Sequence, residues 1–394
     1  GAVAERLWLI IWDEQSRAYQ VAPGSQVKLR LPERKGDQSL SPNVLFVPSG
    51  ENPSVRRTVN SPGFPDNRLG LGRIVSEVLE TRDNKIGELD DERIRPRTRE
   101  AILQNLESGS ELKGKYAVIE DRIHTIIRDR KWIFNMEIES AFDRVTAYYH
   151  LDYIQRYFRE KLGFQVLDDY PHLNPLRLVL SIQQGEIASY EVNKEQITFT
   201  KFPSKKFTAV RDPRIIYHEY VHVITDAIAR LSRAGHLITP RAKEVIQAQA
   251  MDEGVADYFA CSLAEQLGAK APKVFYYRRQ NRVWTIVREL DKESENSQPI
   301  SVNINELNDL EKWKNKKYEL GELWGCFLWK LRNTLKPEIA DIIIAHSLFF
   351  LTRWATFEQG VEAILLADRL LFSGAHKETI GNPKEVSCKI AIFG

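Results

Sequence analysis

The chain has 394 residues, which at about 150 residues per domain suggests two or three lobes. Hydrophobic residues make up 43% and charged residues 28%, with 8 Trp, 14 Tyr and 17 Phe, a balance that excludes disorder as the main state. The formal net charge is only +2, so no bulk field gathers nucleic acid or an anionic membrane, and partners have to be selected locally.

Residues 1–75 read as β-rich, with strand composition at Leu7 to Trp12, Val27 to Leu31 and Val44 to Val47. Residues 76–135 are heavily charged. Helical spacing at Ile74, Val78 and Leu79, and again at Ile102, Leu103 and Leu106, predicts a solvated helical connector or a removable pro-segment, broken at Ser108-Gly109-Ser110. Phe142 to Leu162 follows as an amphipathic helix, with Tyr148, Leu151, Ile154, Tyr157 and Phe158 on one stripe and Gly163 as its stop. Leu176 to Ile182 and Glu186 to Phe199 alternate as strands, so residues 136–230 form an α/β lobe. Everything after about Arg214 reads as helix on helix, and residues 231–394 form a helical lobe.

The most apolar stretch, Ile342 to Thr352, contains His346 and is far short of the roughly 20 residues that span a bilayer, so no membrane span is expected. Cys261, Cys326 and Cys388 are odd in number and lie in segments read mostly as helical, which favours free thiols over a disulfide framework. Gly1-Ala2 opens the chain with no initiator Met and no apolar signal core, which leaves export undecided from this end.

The chemistry concentrates in Ile215 to Asp226, which contains His218-Glu219-Tyr220-Val221-His222 inside a helical pattern. At this chain's residue frequencies such a string arises by chance about 0.02 times. Residues four apart share a helix face, so His218 and His222 project together and suit one metal ion, while Glu219 sits beside that ion as a candidate base. Two hydrogen-bonded core histidines on a buried helix are the alternative. A catalytic zinc needs a third protein ligand and an open position for water, and Glu253, within Met251 to Ala260, completes that set. Asp257, one turn further on, suits the second ring N–H of a ligating histidine. Spaced acids on a solvated helix are the competing reading, but Val255, Ala256, Phe259 and Ala260 imply burial, which makes unpaired carboxylates costly.

These residues resemble the thermolysin-like and fungalysin-like zinc peptidases of the gluzincin group. His218 to Asp226 is similar to that family's active-site helix, and Asp252-Glu253-Gly254 with Ala256-Asp257 to its third-ligand helix. Ala147 to Phe164, Gly321 to Trp324 with Leu328-Trp329, and Thr356-Phe357 through Ala363 to Arg369 extend the likeness over about residues 140–375. The first 130 residues match nothing nameable.

The resemblance implies an α+β fold: a two-lobed core of mixed sheet plus active-site helix, then an all-α lobe, with an additional N-terminal β-rich region. It implies Zn²⁺ held by His218, His222 and Glu253, Glu219 as base, and Asp226, Asp252 and Asp257 supporting the ligands. Ala188, Ser189 and Tyr190 resemble the edge strand that grips substrate, although Ile187 stands where the family has Asn. The family often stabilises the oxyanion with a His shortly before the Gly321 helix. Tyr318 occupies that register and is the candidate here, an ordinary partly buried aromatic being the alternative. His346 reads as a core histidine, and His236 as a weaker candidate.

The expected function is zinc-dependent endopeptidase action on a protein or peptide substrate. A metallo-aminopeptidase is one rival, although no strand suited to a substrate amino group is found, and cleavage of N-terminally blocked peptides would exclude it. A catalytically silent, zinc-stabilised binding protein is the other. Tyr318 favours that reading, and the intact Glu219 opposes it. Residues 1–130 are expected to cover the cleft or to dock a regulatory partner. High charge and unpaired cysteines favour the cytoplasm, whereas the resembled family is mostly exported.

Overall fold

The computed structural model describes residues 10–13, 18–21, 70–75, 85–86, 98–107, 112–120, 127–128, 131–132, 139–181, 188–200, 209–236, 242–269, 272–278, 283–291, 302–303, 316–381 and 390–391. Its class is α+β, mostly helical with a small mixed sheet.

Strands β1 (Ile10–Asp13) and β2 (Ala18–Val21) pair antiparallel. Strands β3 (Gly70–Val75), β4 (Lys85–Ile86), β5 (Thr98–Leu103), β6 (Ala117–Glu120), β7 (Ile127–Arg128) and β8 (Lys131–Trp132) follow, and four of them form a sheet in the order β5-β3-β8-β7. The sequence stretches Val27 to Leu31 and Val44 to Val47, also expected as strands, lie outside the described residues.

Helix α1 (Glu139–Lys161) buries Tyr148, Leu151, Ile154 and Phe158 on one stripe, as its periodicity requires. Gly163 ends it in a left-handed conformation at φ +79°, and the Phe164 N–H returns to the Phe158 carbonyl at 2.8 Å. A short helix, α2 (Val166–Asp169), leads to strand β9 (Leu176–Ser181) and then to the hairpin of β10 (Ala188–Glu191) and β11 (Gln196–Thr200). The second expected strand, Glu186 to Phe199, is therefore two strands, turned at Glu195 with φ 53°. The sheet runs β10-β11-β9-β6; β6, β9 and β11 are parallel, and β10 is an antiparallel edge.

Helix α3 (Pro213–Ala229) lies against β10 and α1. Asp212 caps it by accepting the Arg214 N–H at 3.0 Å, Pro213 needs no such partner at the first turn, and Arg230 ends it at φ 57°. Most of its side chains are buried, so its polar residues need partners inside the protein.

Helix α4 (Ala242–Gln266) packs on α3 and on α5 (Lys317–Leu335). Glycines set how closely α4 and α5 approach. A Cβ on Gly254 would stand 2.6 Å from the Gly321 carbonyl oxygen, and one on Gly321 would stand 2.8 Å from the Glu253 Cβ. Helices α6 (Pro337–Ser347), α7 (Phe357–Phe372) and α8 (Lys377–Gly381) complete this part. Thr356 and Gln359 form a reciprocal capping box at the start of α7, and Trp324 stacks on Phe357 with ring centroids 5.4 Å apart.

Two expectations are corrected. Within 76–135, Ile102 and Leu103 belong to strand β5, not to a helix; Ala101 and Leu103 are buried while Ile102 is 50% exposed, the period of two that a strand imposes. The spacing of Ile102, Leu103 and Leu106 is helical, and pairing with β3 overrides it. The region after Arg214 is not purely helical, because β12 (Lys273–Arg278) and β13 (Val283–Glu289) form an antiparallel pair between α4 and α5. Their runs of aromatic and β-branched residues fit a pleated surface better than a helix. A parallel pair, β14 (Val302–Asn303) with β15 (Ile390–Ala391), lies in the same region.

No helix among the described residues is long and apolar enough to cross a membrane. Cys261 and Cys326 are buried and form no disulfide among the described residues, and Cys388 lies outside the described residues.

Candidate metal centre

One turn of α3 carries His218 and His222 on the same face, and their Nε2 atoms are 3.0 Å apart. From α4, Glu253 brings Oε2 to 3.4 Å from His218 Nε2 and 3.9 Å from His222 Nε2. The three side chains can hold a metal ion, their donor atoms lying within 4.8 Å of one another.

Each imidazole is backed by a carboxylate. Asp257 Oδ1 stands 2.9 Å from His218 Nδ1, and Asp252 Oδ1 stands 3.0 Å from His222 Nδ1. Carboxylates there favour the ring proton on Nδ1, which leaves both Nε2 lone pairs facing one another and the Glu253 oxygen. Three electron-rich atoms converging in a buried place repel one another unless a proton or a metal cation lies between them. Glu253 Oε2 is also buried and has no hydrogen-bond partner among the described residues, an arrangement costly for a carboxylate and suited to a metal ligand.

The supporting carboxylates are fixed in turn. Arg288 of β13 grips Asp257 with two guanidinium nitrogens, Nη2 reaching Oδ1 at 2.8 Å and Nε bonding Oδ2. Asp252 accepts hydrogen bonds from Thr225 Oγ1 and, at 2.9 Å, from Ser232 Oγ. Lys317, in the first turn of α5, bonds Glu253 Oε1 at 2.7 Å. Glu253 and Asp257 thus have their own cations, whereas neither Glu219 nor Asp252 is paired with a Lys or Arg among the described residues.

Protonation follows this pattern. Burial pulls the His218 imidazole down, but Asp257 and Glu253 outweigh it and hold it up to about 10. Burial likewise opposes a proton on His222, and Asp252 overrides it. Burial would raise Glu253, yet His218, His222 and Lys317 keep it well below the usual carboxylate range. Burial raises Glu219, partly offset by the two histidines.

Glu219 is buried beside the cluster, and the main chain of Tyr190 on edge strand β10 favours its charged form. Ala188, Ser189 and Tyr190 are half-buried along that strand. Asp226, expected to support the ligands, is instead two turns beyond Glu219, where Tyr190 donates its hydroxyl to Oδ2 at 3.2 Å and Arg233 Nε donates to Oδ1 at 2.7 Å. Its task is to tie β10 to α3. Tyr318 is 39% exposed at the rim, with Lys317 Nζ 4.4 Å and the Arg288 guanidinium carbon 5.4 Å from its ring centroid. His346 is buried away from the cluster, its Nδ1 2.8 Å from the Ile342 carbonyl.

Lys317, Arg288, Thr225 and Ser232 were not anticipated. Thr225 lies three residues past His222 on the same helix, so helical spacing carried its signal. Lys317 and Arg288 reach the site only through the packing of distant elements. Compared with known proteins, the chain matches no family model and no curated protein.

Proposed function

We propose that the chain is a zinc-dependent metalloendopeptidase of the gluzincin kind, which hydrolyses peptide bonds in an extended protein or peptide substrate. The observation that carries this reading is a buried carboxylate, Glu219, placed next to His218 in the chain and beside a His/His/Glu donor set, with the main chain of the edge-strand residue Tyr190 favouring its charged form. A purely structural site has no need of a base beside the metal. Two imidazoles and one carboxylate are a donor set that zinc takes in hydrolases, leaving one position for water.

Zinc, when bound, supplies a Lewis acid that brings water ionisation toward neutral pH. The protein's own groups do the rest. Glu219 takes the proton of the attacking water and passes it to the leaving amine, a role worth about 10² to 10⁴ in rate. Asp257 and Asp252 keep the ring protons on Nδ1, so that both Nε2 atoms remain donors. Strand β10 aligns the substrate by main-chain pairing along its outer edge, which selects an extended backbone in preference to a sequence. Tyr318, at the rim, is the candidate donor to the developing oxyanion.

The test is Glu219→Gln. Cleavage of a quenched peptide should fall by about 10² or more, while zinc content by elemental analysis stays near one equivalent. Undiminished cleavage would remove Glu219 from its role, and a wild-type protein that takes up no metal would remove the whole reading.

A further inference from the structure

We infer that Lys317 is a positioning residue of this centre: it withholds one oxygen of Glu253, so that the carboxylate offers a metal the other oxygen alone. This deepens the reading of His218, His222 and Glu253 as ligands and rests on it.

The two oxygens of Glu253 have different surroundings. Oε1 accepts from the Lys317 ammonium at 2.7 Å, whereas Oε2 is buried, has no hydrogen-bond partner among the described residues and faces both imidazole Nε2 atoms. A carboxylate with both oxygens free can ligate through one or both. A charge-assisted bond to an ammonium takes one of them away.

Backbone packing puts the ammonium in this place. Gly321 is one turn beyond Lys317 on α5, and a Cβ there would meet the Glu253 Cβ at 2.8 Å and the Ala250 carbonyl at 3.1 Å. Helix α5 therefore lies directly against the turn of α4 that carries Glu253. The side chain four residues earlier is directed over its carboxylate. Tyr318 braces the arrangement, its ring facing both the Lys317 ammonium and the Arg288 guanidinium that clamps Asp257 behind His218. Lys317 keeps 38% of its side chain exposed, against 7% for Arg288, so it can be replaced without opening a cavity in the core.

The experiment uses the full chain loaded with Co²⁺, comparing wild type with Lys317→Met and Lys317→Ala, neither of which can donate, and with Lys317→Arg, which can. With both oxygens of Glu253 released, the coordination number rises and the visible absorption of the cobalt form should weaken by about twofold or more in Lys317→Met and Lys317→Ala. Lys317→Arg should keep the wild-type spectrum. A spectrum unchanged in Lys317→Met and Lys317→Ala, or a change that Arg does not rescue, overturns the assignment of Lys317 alone. A wild type that binds no cobalt overturns the metal-site reading and this assignment with it.

Discussion

Asp252 makes the case for single residues at this centre. It is 6% exposed, pairs with no Lys or Arg among the described residues, lies 3.0 Å from His222 Nδ1, and accepts hydrogen bonds from Thr225 and Ser232. Replacing it with Ala frees the His222 ring to turn and to change tautomer, so zinc affinity measured by chelator competition should drop about 10- to 100-fold. Glu219→Gln, which touches no ligand's ring proton, should leave that affinity near wild type. His346 gives a second residue-scale expectation, far from the metal. Burial pushes its imidazole down from the ordinary 6.5 to about 4, although the Ile342 carbonyl pulls the other way. Between these two values the unfolded chain binds the proton and the folded chain does not. Stability is therefore full above pH 6.5 and is lost as the pH falls toward about 4, by on the order of 3 kcal/mol. Urea midpoints of wild type and His346→Phe across that window check this: the variant should show the shallower pH dependence, and parallel curves would refute it.

At the scale of elements, the contact between α4 and α5 decides where Glu253 points. Gly254, Gly321 and Gly325 let the two backbones meet with no side chain between them. Gly254→Ala would force its methyl against the Gly321 carbonyl oxygen at 2.6 Å and the Gly325 nitrogen at 2.9 Å, neither of which is a flexible end that can swing aside. Overpacking of this kind costs about 1–3 kcal/mol, and here it also moves a ligand. Chemical denaturation should show the loss of stability and cobalt binding a weakened site. Gly381→Ala, where no atom lies within 4 Å, is the matched control and should change neither.

For the molecule as a whole, the candidate centre is a tie between segments far apart in the chain. Two ligands come from α3 and one from α4, while β13 and α5 supply Arg288 and Lys317. Anything that binds the folded state and not the unfolded one stabilises it by mass action, about 2.7 kcal/mol when free ligand is 100-fold above its Kd. Zinc should therefore raise the thermal midpoint of wild type, and chelator should reverse the gain. A variant with both His218 and His222 changed to Ala should respond to neither. Equal shifts in wild type and the double variant would show that the metal acts elsewhere.

His218, His222, Glu219 and Asp257 were legible in the sequence because the helix repeat alone puts residues four apart on one face, and one apart beside it. Glu253 was legible as an acid in an apolar helical run, where an unpaired charge would be too costly to keep. Other assignments needed the tertiary structure. Ile102, Leu103 and Leu106 have helical spacing, and only the pairing of β5 with β3 made Ile102 and Leu103 a strand. Asp226 and Asp252 are both acids near the ligands in sequence, yet one ties down Tyr190 and the other backs His222, because the rotation of α3 against β10 and α4 decides which neighbour each meets. Lys317 and Arg288 had no local signal at all. Sequence spacing determines which residues share a face of one element; which faces of separate elements meet is decided by packing, through the glycines that let α5 close onto α4.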